Sequence, residues 1–412
     1  MTKKTIADIN VKGKKVLMRV DFNVPLDENR NITSDSRITA ALPTIKTILD
    51  KGGSVILMSH LGRPDGQKKP EFSMAPVAKR LSELLNKNVI FANDCIGPDV
   101  KQKAAALKPG DVMLLENVRY YKQEEIKDKK AKEDPALRKA KDDFARQIAE
   151  LGDVYVDDAF GTAHRDNASM FTVPEMMKGK DRVIGFLVEK ELKFLGGALN
   201  NPPKPFVAIL GGAKISDKLK VIEKLMEKVD CILIGGAMAY TFFKAQGYTV
   251  GDSLCENDFV DKAKELMALA QKGGCELVLP LDNVIAQKIE ANAANQISGD
   301  NIPAGWRGAD IGPETIALFV KKLEGAKTVL WNGPMGIFEM PPFDAGTKAV
   351  AEAVAKATDN GATSVIGGGD SVSAIKKLGL SKRVSHISTG GGASLEFMEG
   401  KKFKCLEILD EK

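Results

Sequence analysis

Short apolar runs, each closed by Gly, Asp or Asn, recur along the chain. In the first half they are KVLMRVDFN (15–23), SVILMSHLG (54–62), NVIFAND (88–94), DVMLLENVR (111–119), DVYVDDAFG (153–161) and RVIGF (182–186). In the second half they are FVAILGG (206–212), CILIGG (231–236), ELVLPLD (276–282), TVLWNG (328–333), SVIGGGD (364–370) and SHISTGGG (385–392). Continuous Val/Ile/Leu runs predict strands buried on both faces. Between them lie helix-like stretches, among them MAPVAKRLSELLN (74–86), ISDKLKVIEKLMEKV (215–229), FVDKAKELMALAQK (259–272) and AGTKAVAEAVAKATDN (345–360). Strands alternating with helices predict an α/β fold of two doubly wound parallel-sheet, Rossmann-like domains, each with about six strands. The stretch GFLVEKELKFLGGALNNPPKPF (185–206) reads as a connecting helix followed by a stiff, proline-rich entry to the second domain.

Composition narrows the class. With 43% hydrophobic and 28% charged residues the chain is an ordinary globular one and not a disordered one. No apolar run follows the lysines of MTKKTIADIN, so no signal peptide is expected, and no run reaches the ~18 apolar residues of a membrane span. The cysteines (Cys95, Cys231, Cys255, Cys275, Cys405) are scattered without CxxC spacing, which predicts buried thiols in a reduced, cytoplasmic protein. Net charge is +5, distributed as +6 over residues 1–190 and −1 over 191–412. A basic first half suits a small anionic ligand or a nucleic-acid surface, or is only a set of solvated lysines. The lysine-rich stretch 122–143 is expected to be exposed helix and loop.

Ligands of open parallel sheets bind beyond the carboxyl ends of the strands. In the second half those ends are glycines: Gly211-Gly212, Gly235-Gly236, Gly367-Gly368-Gly369 and Gly390-Gly391-Gly392. Glycine lets backbone N–H groups approach a ligand, and a helix starting there favours phosphate. Neither G-x-x-x-x-G-K-[ST] nor G-x-G-x-x-G occurs, so this is neither a P-loop nor a dinucleotide fingerprint. Lys214 and Lys218, spaced i, i+4, are expected on one face of a helix that starts at the Gly211-Gly212 turn. Asp370 is an N-cap, a Mg²⁺ holder beside phosphates, or both. In WNGPMGIFEM (331–340) Glu339 reads by itself as a surface acid.

The strand ends of the first half are polar and basic: Asp21 and Asn23, His60 and Arg63, Arg119, then His164 and Arg165, with Arg37 in the DSRI segment. Arginines repeated at separate strand ends converge on one crevice and bind carboxylate or phosphate bidentately. The ligand is then a small molecule with more than one anionic group. None of His60, His164 and His386 has a Ser or Cys partner in triad order. A nucleotide domain beside a polyanion domain describes a phosphotransferase. A non-catalytic two-lobed sensor and an NAD-dependent dehydrogenase are the other classes, and the missing glycine fingerprint speaks against the latter.

The motifs RVDFNVP (19–25), DSRI (35–38), SHLGRP (59–64), LLENVR (114–119), DDAFGTAHR (157–165), LGGAKISDK (210–218), WNGPMGIFE (331–339), IGGGDS (366–371) and HISTGGGASLEFMEGK (386–401) stand in one order along the chain. In them the sequence resembles the phosphoglycerate kinase family. The resemblance implies reversible phosphoryl transfer between 1,3-bisphosphoglycerate and ADP, giving 3-phosphoglycerate and ATP with Mg²⁺. It implies a cytoplasmic monomer with no nucleic acid or membrane partner. It also implies a discontinuous first domain (1–184 with 400–412), a connector (185–203) and a nucleotide domain (204–399). Asp21, Asn23, Arg37, His60, Leu61, Gly62, Arg63, Arg119 and Arg165 match the family's glycerate-binding residues. Gly212, Ala213, Lys214, Lys218, Gly236, Gly312, Asn332, Pro334, Glu339, Gly367, Gly368, Gly369, Asp370 and Ser371 match its nucleotide side, with Asp370 as the metal residue. Arg19 and His164 fall in its basic patch. Arg37, Lys214 and the loops of Gly368 and Gly391 are the expected catalytic groups.

There are departures. AHRDNAS places Asp166 and Asn167 beside Arg165, where relatives often carry a second His and no acid, which lowers the positive potential. Asp157 in VDDAFG, often Asn in relatives, is expected to have a packing role. The segment 122–143 is longer and more charged than is common in bacterial relatives. Both phosphoryl acceptors are ionised at neutral pH, so no general base is needed. Transfer is expected to be direct and in line, after the domains close over both substrates.

Overall fold

The computed structural model describes residues 2–412. The chain forms two compact units, one of Met1–Leu192 with Lys402–Lys412 and one of Lys193–Lys401. The division falls within the helix Phe186–Leu199, where a connecting helix is read from the sequence.

The first unit is built on six parallel strands: β1 (Lys15–Val20), β2 (Ser54–Met58), β3 (Val89–Phe91), β4 (Val112–Leu114), β5 (Val154–Asp158) and β6 (Arg182–Ile184). Their order is β3-β4-β2-β1-β5-β6, and each lies in one of the apolar runs. On one face Val16, Met18, Val20, Val55, Leu57, Val154 and Val156 pack against Ile38, Ile45, Ile48, Val77 and Leu81 of the helices Ser36–Asp50 and Ala75–Leu85. Leu17, Ile56, Met113 and Tyr155, the alternating residues, are buried as well. Helices on both faces explain why the strands carry no polar alternation. From β1 the chain moves to one side of the sheet and from β5 to the other, so the crevice between their ends is the topological switch point.

The second unit repeats the plan with β7 (Phe206–Leu210), β8 (Cys231–Ile234) and β9 (Glu276–Val278), then β13 (Thr328–Asn332), β14 (Thr363–Gly367) and β15 (His386–Ile387). The order β15-β14-β13-β7-β8-β9 puts the switch point between β7 and β13. Between β9 and β13 the structure adds an antiparallel sheet that the apolar runs do not announce. It comprises β10 (Asn283–Ala286), β11 (Asn295–Ser298) and β12 (Arg307–Ile311) in the order β11-β10-β12. β11 (NQIS) is largely exposed and β12 (RGADI) opens on an exposed arginine, so neither gives an apolar run.

Two expectations are corrected. The helix read over 215–229 is only Leu219–Met226. Before it, the Lys218 N–H closes a turn on the Ile215 carbonyl at 2.9 Å, and the Ser216 N–H and Oγ donate to the Glu256 carboxylate at 3.0 and 2.7 Å. Lys214 and Lys218 therefore share no helix face; Lys214 is exposed and Lys218 buried. The segment 122–143 is not surface throughout either, since Glu124 and Lys141 are fully buried and Asp128 nearly so.

The connecting helix is tied to the first sheet at its start. Asp158 Oδ1 accepts the Leu187 and Val188 N–H groups at 2.9 and 3.2 Å, and Thr44 Oγ1 accepts that of Phe186 at 3.0 Å. A Cβ on Gly185 would lie 2.2 Å from the Asp158 carboxyl, so glycine is required there. The neighbouring Asp157 is fully buried and accepts the Ala159 N–H at 3.0 Å; burial pushes its carboxyl up to about 6. The chain end returns to the first unit, where Lys4 N–H meets the Asp410 carbonyl at 2.9 Å and Lys3 Nζ that of Leu409 at 2.7 Å.

Candidate active site

The first unit gathers its charged residues at the carboxyl ends of β1, β2, β4 and β5. Arg19 is 1% exposed; its Nε donates to Ser169 Oγ at 2.9 Å, and its Nη2 lies 3.2 Å from His60 Nδ1. A guanidinium has only donors, so Nδ1 is the acceptor and the His60 proton sits on Nε2. Burial, then the charges of Arg19, Arg119, Arg165 and Arg37, hold the His60 imidazole well below its ordinary range. Four guanidinium groups thus surround one neutral histidine.

Each cation has its own holder. Arg37 pairs with Asp21, which accepts from its Nη1. Arg119 is buried, donates to the Gly62 carbonyl at 2.8 Å and lies 3.1 Å from Glu125. Arg165 Nε donates to His164 Nε2 at 3.2 Å. Asn23 Oδ1 accepts the Gly62 N–H at 2.8 Å, and the Leu61 carbonyl accepts Asn117 Nδ2 at 2.7 Å, which fixes the loop after β2. Gly62 has φ +60°, and a Cβ would meet the Phe72 ring at 2.4 Å. Arg63, next in the same loop, is exposed.

In the second unit a cavity of about 580 Å³ opens over the switch point. It is lined by Gly211, Gly212, Ala213, Lys214, Asp217, Lys218, Asn332, Gly333, Pro334, Gly368, Gly369, Asp370, Gly391 and Gly392, with Leu395, Glu396 and Glu399. Two helices begin at it, Gly369–Lys377 after Gly368 (φ +84°) and Gly392–Met398 after Gly391 (φ +52°). A helix start favours an anion, although the Ala393 N–H of the second helix is taken by the Gly390 carbonyl at 2.9 Å. Lys218 Nζ donates to Asn332 Oδ1 across the cavity floor. Burial lowers the Lys218 ammonium to about 8, against the opposing pull of Asp217 and Asp370.

Asp370 is the second residue of its helix and makes no capping hydrogen bond; Gly368 holds the N-cap position. The N-cap reading of Asp370 is therefore corrected, and its exposed carboxylate faces the cavity. Gly236, Gly367 and Ser371 stand behind the lining. A Cβ on Gly236 would lie 2.5 Å from the Gly212 nitrogen, one on Gly367 would lie 3.2 Å from Asn332 Nδ2, and Ser371 Oγ accepts the Gly333 N–H at 2.6 Å. Gly312 and Glu339 lie off this lining. Gly312 starts the helix Pro313–Leu323 against Asp282, and Glu339 is exposed in the loop after β13. Asp217, Glu396 and Glu399 were not anticipated. Nothing in the sequence marks them, because their approach depends on the Ile215–Lys218 turn and on the last short helix.

The family model for phosphoglycerate kinase matches residues 6–401. The chain belongs to the phosphoglycerate kinase family. It is 54% identical to the phosphoglycerate kinase of Chlorobaculum tepidum over 412 residues, covering 100% of both chains. It is also 54% identical to that of Thermosipho africanus over 414 residues, covering 100% of this chain and 99% of the other. The phosphoglycerate kinase structure from Coxiella burnetii superposes with a TM-score of 0.87 at 40% identity, covering 98% of each chain. That from Pyrococcus horikoshii superposes with a TM-score of 0.79 at 31% identity, covering 99% of this chain and 98% of the other. The chain is a phosphotransferase with a carboxyl group as acceptor. It interconverts 1,3-bisphosphoglycerate and ADP with 3-phosphoglycerate and ATP, a step of glycolysis, and so takes both a glycerate and a nucleotide substrate.

If the glycine-lined cavity takes the nucleotide phosphates, the buried Lys218 should show in the pH dependence of nucleotide binding. Lys218 is charged below about 8 and loses its proton above it. Metal-free ADP, followed by calorimetry, should bind more weakly as pH rises through that value. Lys218→Met should bind roughly 10–100-fold more weakly at neutral pH, as expected for a lost charge-assisted hydrogen bond, and lack the decline. A decline that persists in the variant would assign it to another group.

Proposed function

We propose that the crevice around His60 holds the glycerate substrate and the glycine-lined cavity holds the nucleotide phosphates. The observation that carries this reading is the convergence of Arg19, Arg37, Arg119 and Arg165 on a neutral His60. Asp21, Asn23 and the Leu61–Gly62 backbone complete the polar lining, and Arg63 is offered as an outer contact. His60 supplies an Nε2–H donor that stays a donor at neutral pH, so it orients a carboxylate or phosphate and exchanges no proton with it. On the other side Ala213, Gly368, Gly369 and Gly391 are assigned to present backbone N–H groups, and Lys214 and Lys218 present ammonium groups. Gly212, whose own N–H donates to the Pro334 carbonyl at 3.1 Å, shapes the loop. Asn332, Pro334, Asp370, Gly236, Gly367 and Ser371 shape this site, and Gly312 and Glu339 are assigned to the outer, nucleoside side.

Phosphoryl transfer asks for positioning and charge neutralisation rather than covalent chemistry. Arg37 and Lys214, with the Gly368 and Gly391 loops, are assigned to the oxygens of the transferring group. Among the described residues no three His, Cys, Asp or Glu side chains form a metal cluster. Asp370, an exposed carboxylate at the start of a helix that opens on the cavity, suits a Mg²⁺ that arrives on the nucleotide and keeps its waters. When bound, the ion would neutralise charge on the nucleotide phosphates. Both sites are built from a single chain, so a monomer suffices. Four of the five cysteines are buried free thiols, consistent with a reducing cytoplasm. No helix among the described residues is long and apolar enough to cross a membrane.

A coupled assay with 3-phosphoglycerate and Mg·ATP tests the assignment of Arg37. Arg37→Ala should lower kcat by roughly 10²–10³, the loss typical of one transition-state donor. Retention of more than half the wild-type kcat would leave Arg37 a structural partner of Asp21. For Asp370, Asp370→Asn should weaken binding of Mg·ADP more than that of metal-free ADP. Equal losses would remove Asp370 from metal binding.

Closure follows from the chemistry. The two sites belong to different units, yet in-line transfer needs reacting atoms about 3–3.5 Å apart. Small-angle scattering should show a smaller radius of gyration with 3-phosphoglycerate and nucleotide together, and little change with either alone. Identical curves in all states would eliminate closure from the mechanism.

A further inference from the structure

The charged segment 122–143, which carries the helix Asp128–Glu133 and the first part of the helix Pro135–Ala149, is joined to the loop that carries Arg165 by buried ionic contacts. Lys141 has no exposed surface; its Nζ donates to Asp128 Oδ1 at 3.0 Å and to the Asp166 carbonyl at 2.7 Å. The Asp166 carboxylate in turn accepts the Asp128 N–H at 2.9 Å. Asp166 is thus gripped at both its backbone and its side chain, one residue from Arg165. Three residues on, Ser169 gives its N–H and Oγ to Glu124 at 2.8 and 2.6 Å, and Asn167 Nδ2 reaches Glu124 at 3.3 Å. Ser169 Oγ is also the acceptor for Arg19 Nε. The loop therefore rests on two buried ions of opposite sign that come from the segment 122–143.

We propose that Lys141 is a positioning residue for the glycerate side: through Asp128 and Asp166 it fixes the backbone that aims Arg165 into the crevice. The departure at Asp166–Asn167 is then no isolated change in potential. Asp166 faces Asp128, with Lys127 3.8 Å away, so its charge is spent on this lock rather than on Arg165. A buried ammonium held by one carboxylate and one carbonyl tolerates little movement, because any shift leaves Asp128 unpaired in a site without water access. The proposal rests on the assignment of the crevice to the glycerate substrate, and Arg165→Ala tests that assignment separately.

The experiment is steady-state kinetics on the full chain, varying 3-phosphoglycerate and Mg·ATP independently. The working variant is the pair Asp128→Leu with Lys141→Met, which removes both ions at similar volume and leaves no unpaired charge. It should raise KM for 3-phosphoglycerate about tenfold, the loss of part of one charge-assisted contact, with kcat within a factor of about two and KM for ATP unchanged. Asp166→Ala, at a half-buried side chain, should move the same constant in the same direction by a few-fold. If the double variant does not fold, Asp166→Ala decides by the same criterion. An unchanged KM for 3-phosphoglycerate, with Arg165→Ala raising it, overturns the positioning role and leaves Lys141 a stabilising residue only. An unchanged KM in Arg165→Ala overturns the assignment of the crevice, and the proposal with it.

Discussion

Like charges repel, and a site that must bind a small polyanion has to hold several guanidinium groups together before the ligand arrives. This is the constraint around which the first unit is built. Arg19, Arg37, Arg119 and Arg165 act together on one imidazole, and each has a fixed acceptor nearby: Ser169, Asp21, the Gly62 carbonyl and His164. Behind them sits Glu124, fully buried; burial raises its carboxyl above the ordinary range, against the pull of Arg19 and the hydrogen bonds from Ser169 and Asn167. A buried carboxylate is costly alone and tolerable beside a buried guanidinium with three hydrogen bonds to its oxygens. The parallel sheet makes the arrangement possible, because adjacent strand ends deliver residues from distant parts of the chain to one edge.

The second unit is built differently, with glycine loops between charged side chains of both signs. Gly212, Gly368 and Gly391 all have positive φ, a backbone conformation that glycine adopts without strain, and they add no side chain to the cavity they line. Behind the lining the loops are packed backbone to backbone: a Cβ on Gly211 would lie 2.0 Å from the Pro334 carbonyl, and one on Gly333 would lie 2.1 Å from that of Gly211. These glycines are demanded by the close approach of the β7 and β13 loops rather than by a ligand. Glycine at a strand end thus marks two different constraints, and only coordinates separate them.

What was legible in the sequence follows from that distinction. All twelve apolar runs correspond to strands of the two main sheets, because strands buried on both faces leave an uninterrupted apolar signature. The residues after each run are where the crevice and cavity residues lie, since strand-end chemistry is local. The antiparallel sheet β10–β12 left no such signature, because β11 is solvent-facing and β12 opens on an exposed arginine. Lys214 and Lys218 have helical spacing but sit in a turn held by Glu256, a tertiary contact 40 residues away. Glu124, Asp128 and Lys141 carried the signal of a solvated face; their burial depends on a fold-level pairing that charge patterning cannot show.

The two sites together explain why the chain needs no acid or base. Burial and the neighbouring guanidinium charges hold His60 neutral, with its Nδ1 facing Arg19. A group so placed can donate one hydrogen bond and can neither gain nor lose a proton near neutral pH. The fully buried Asp157 and Asp158 have carboxyls raised by burial to about 6 and 7, and one oxygen of each is engaged by the backbone N–H groups of Ala159, or of Leu187 and Val188. Their hydrogen bonds hold the strand end and the start of the connecting helix, which is a structural task. What remains is a fixed field of N–H and guanidinium dipoles, and phosphoryl transfer between two already ionised acceptors requires nothing more.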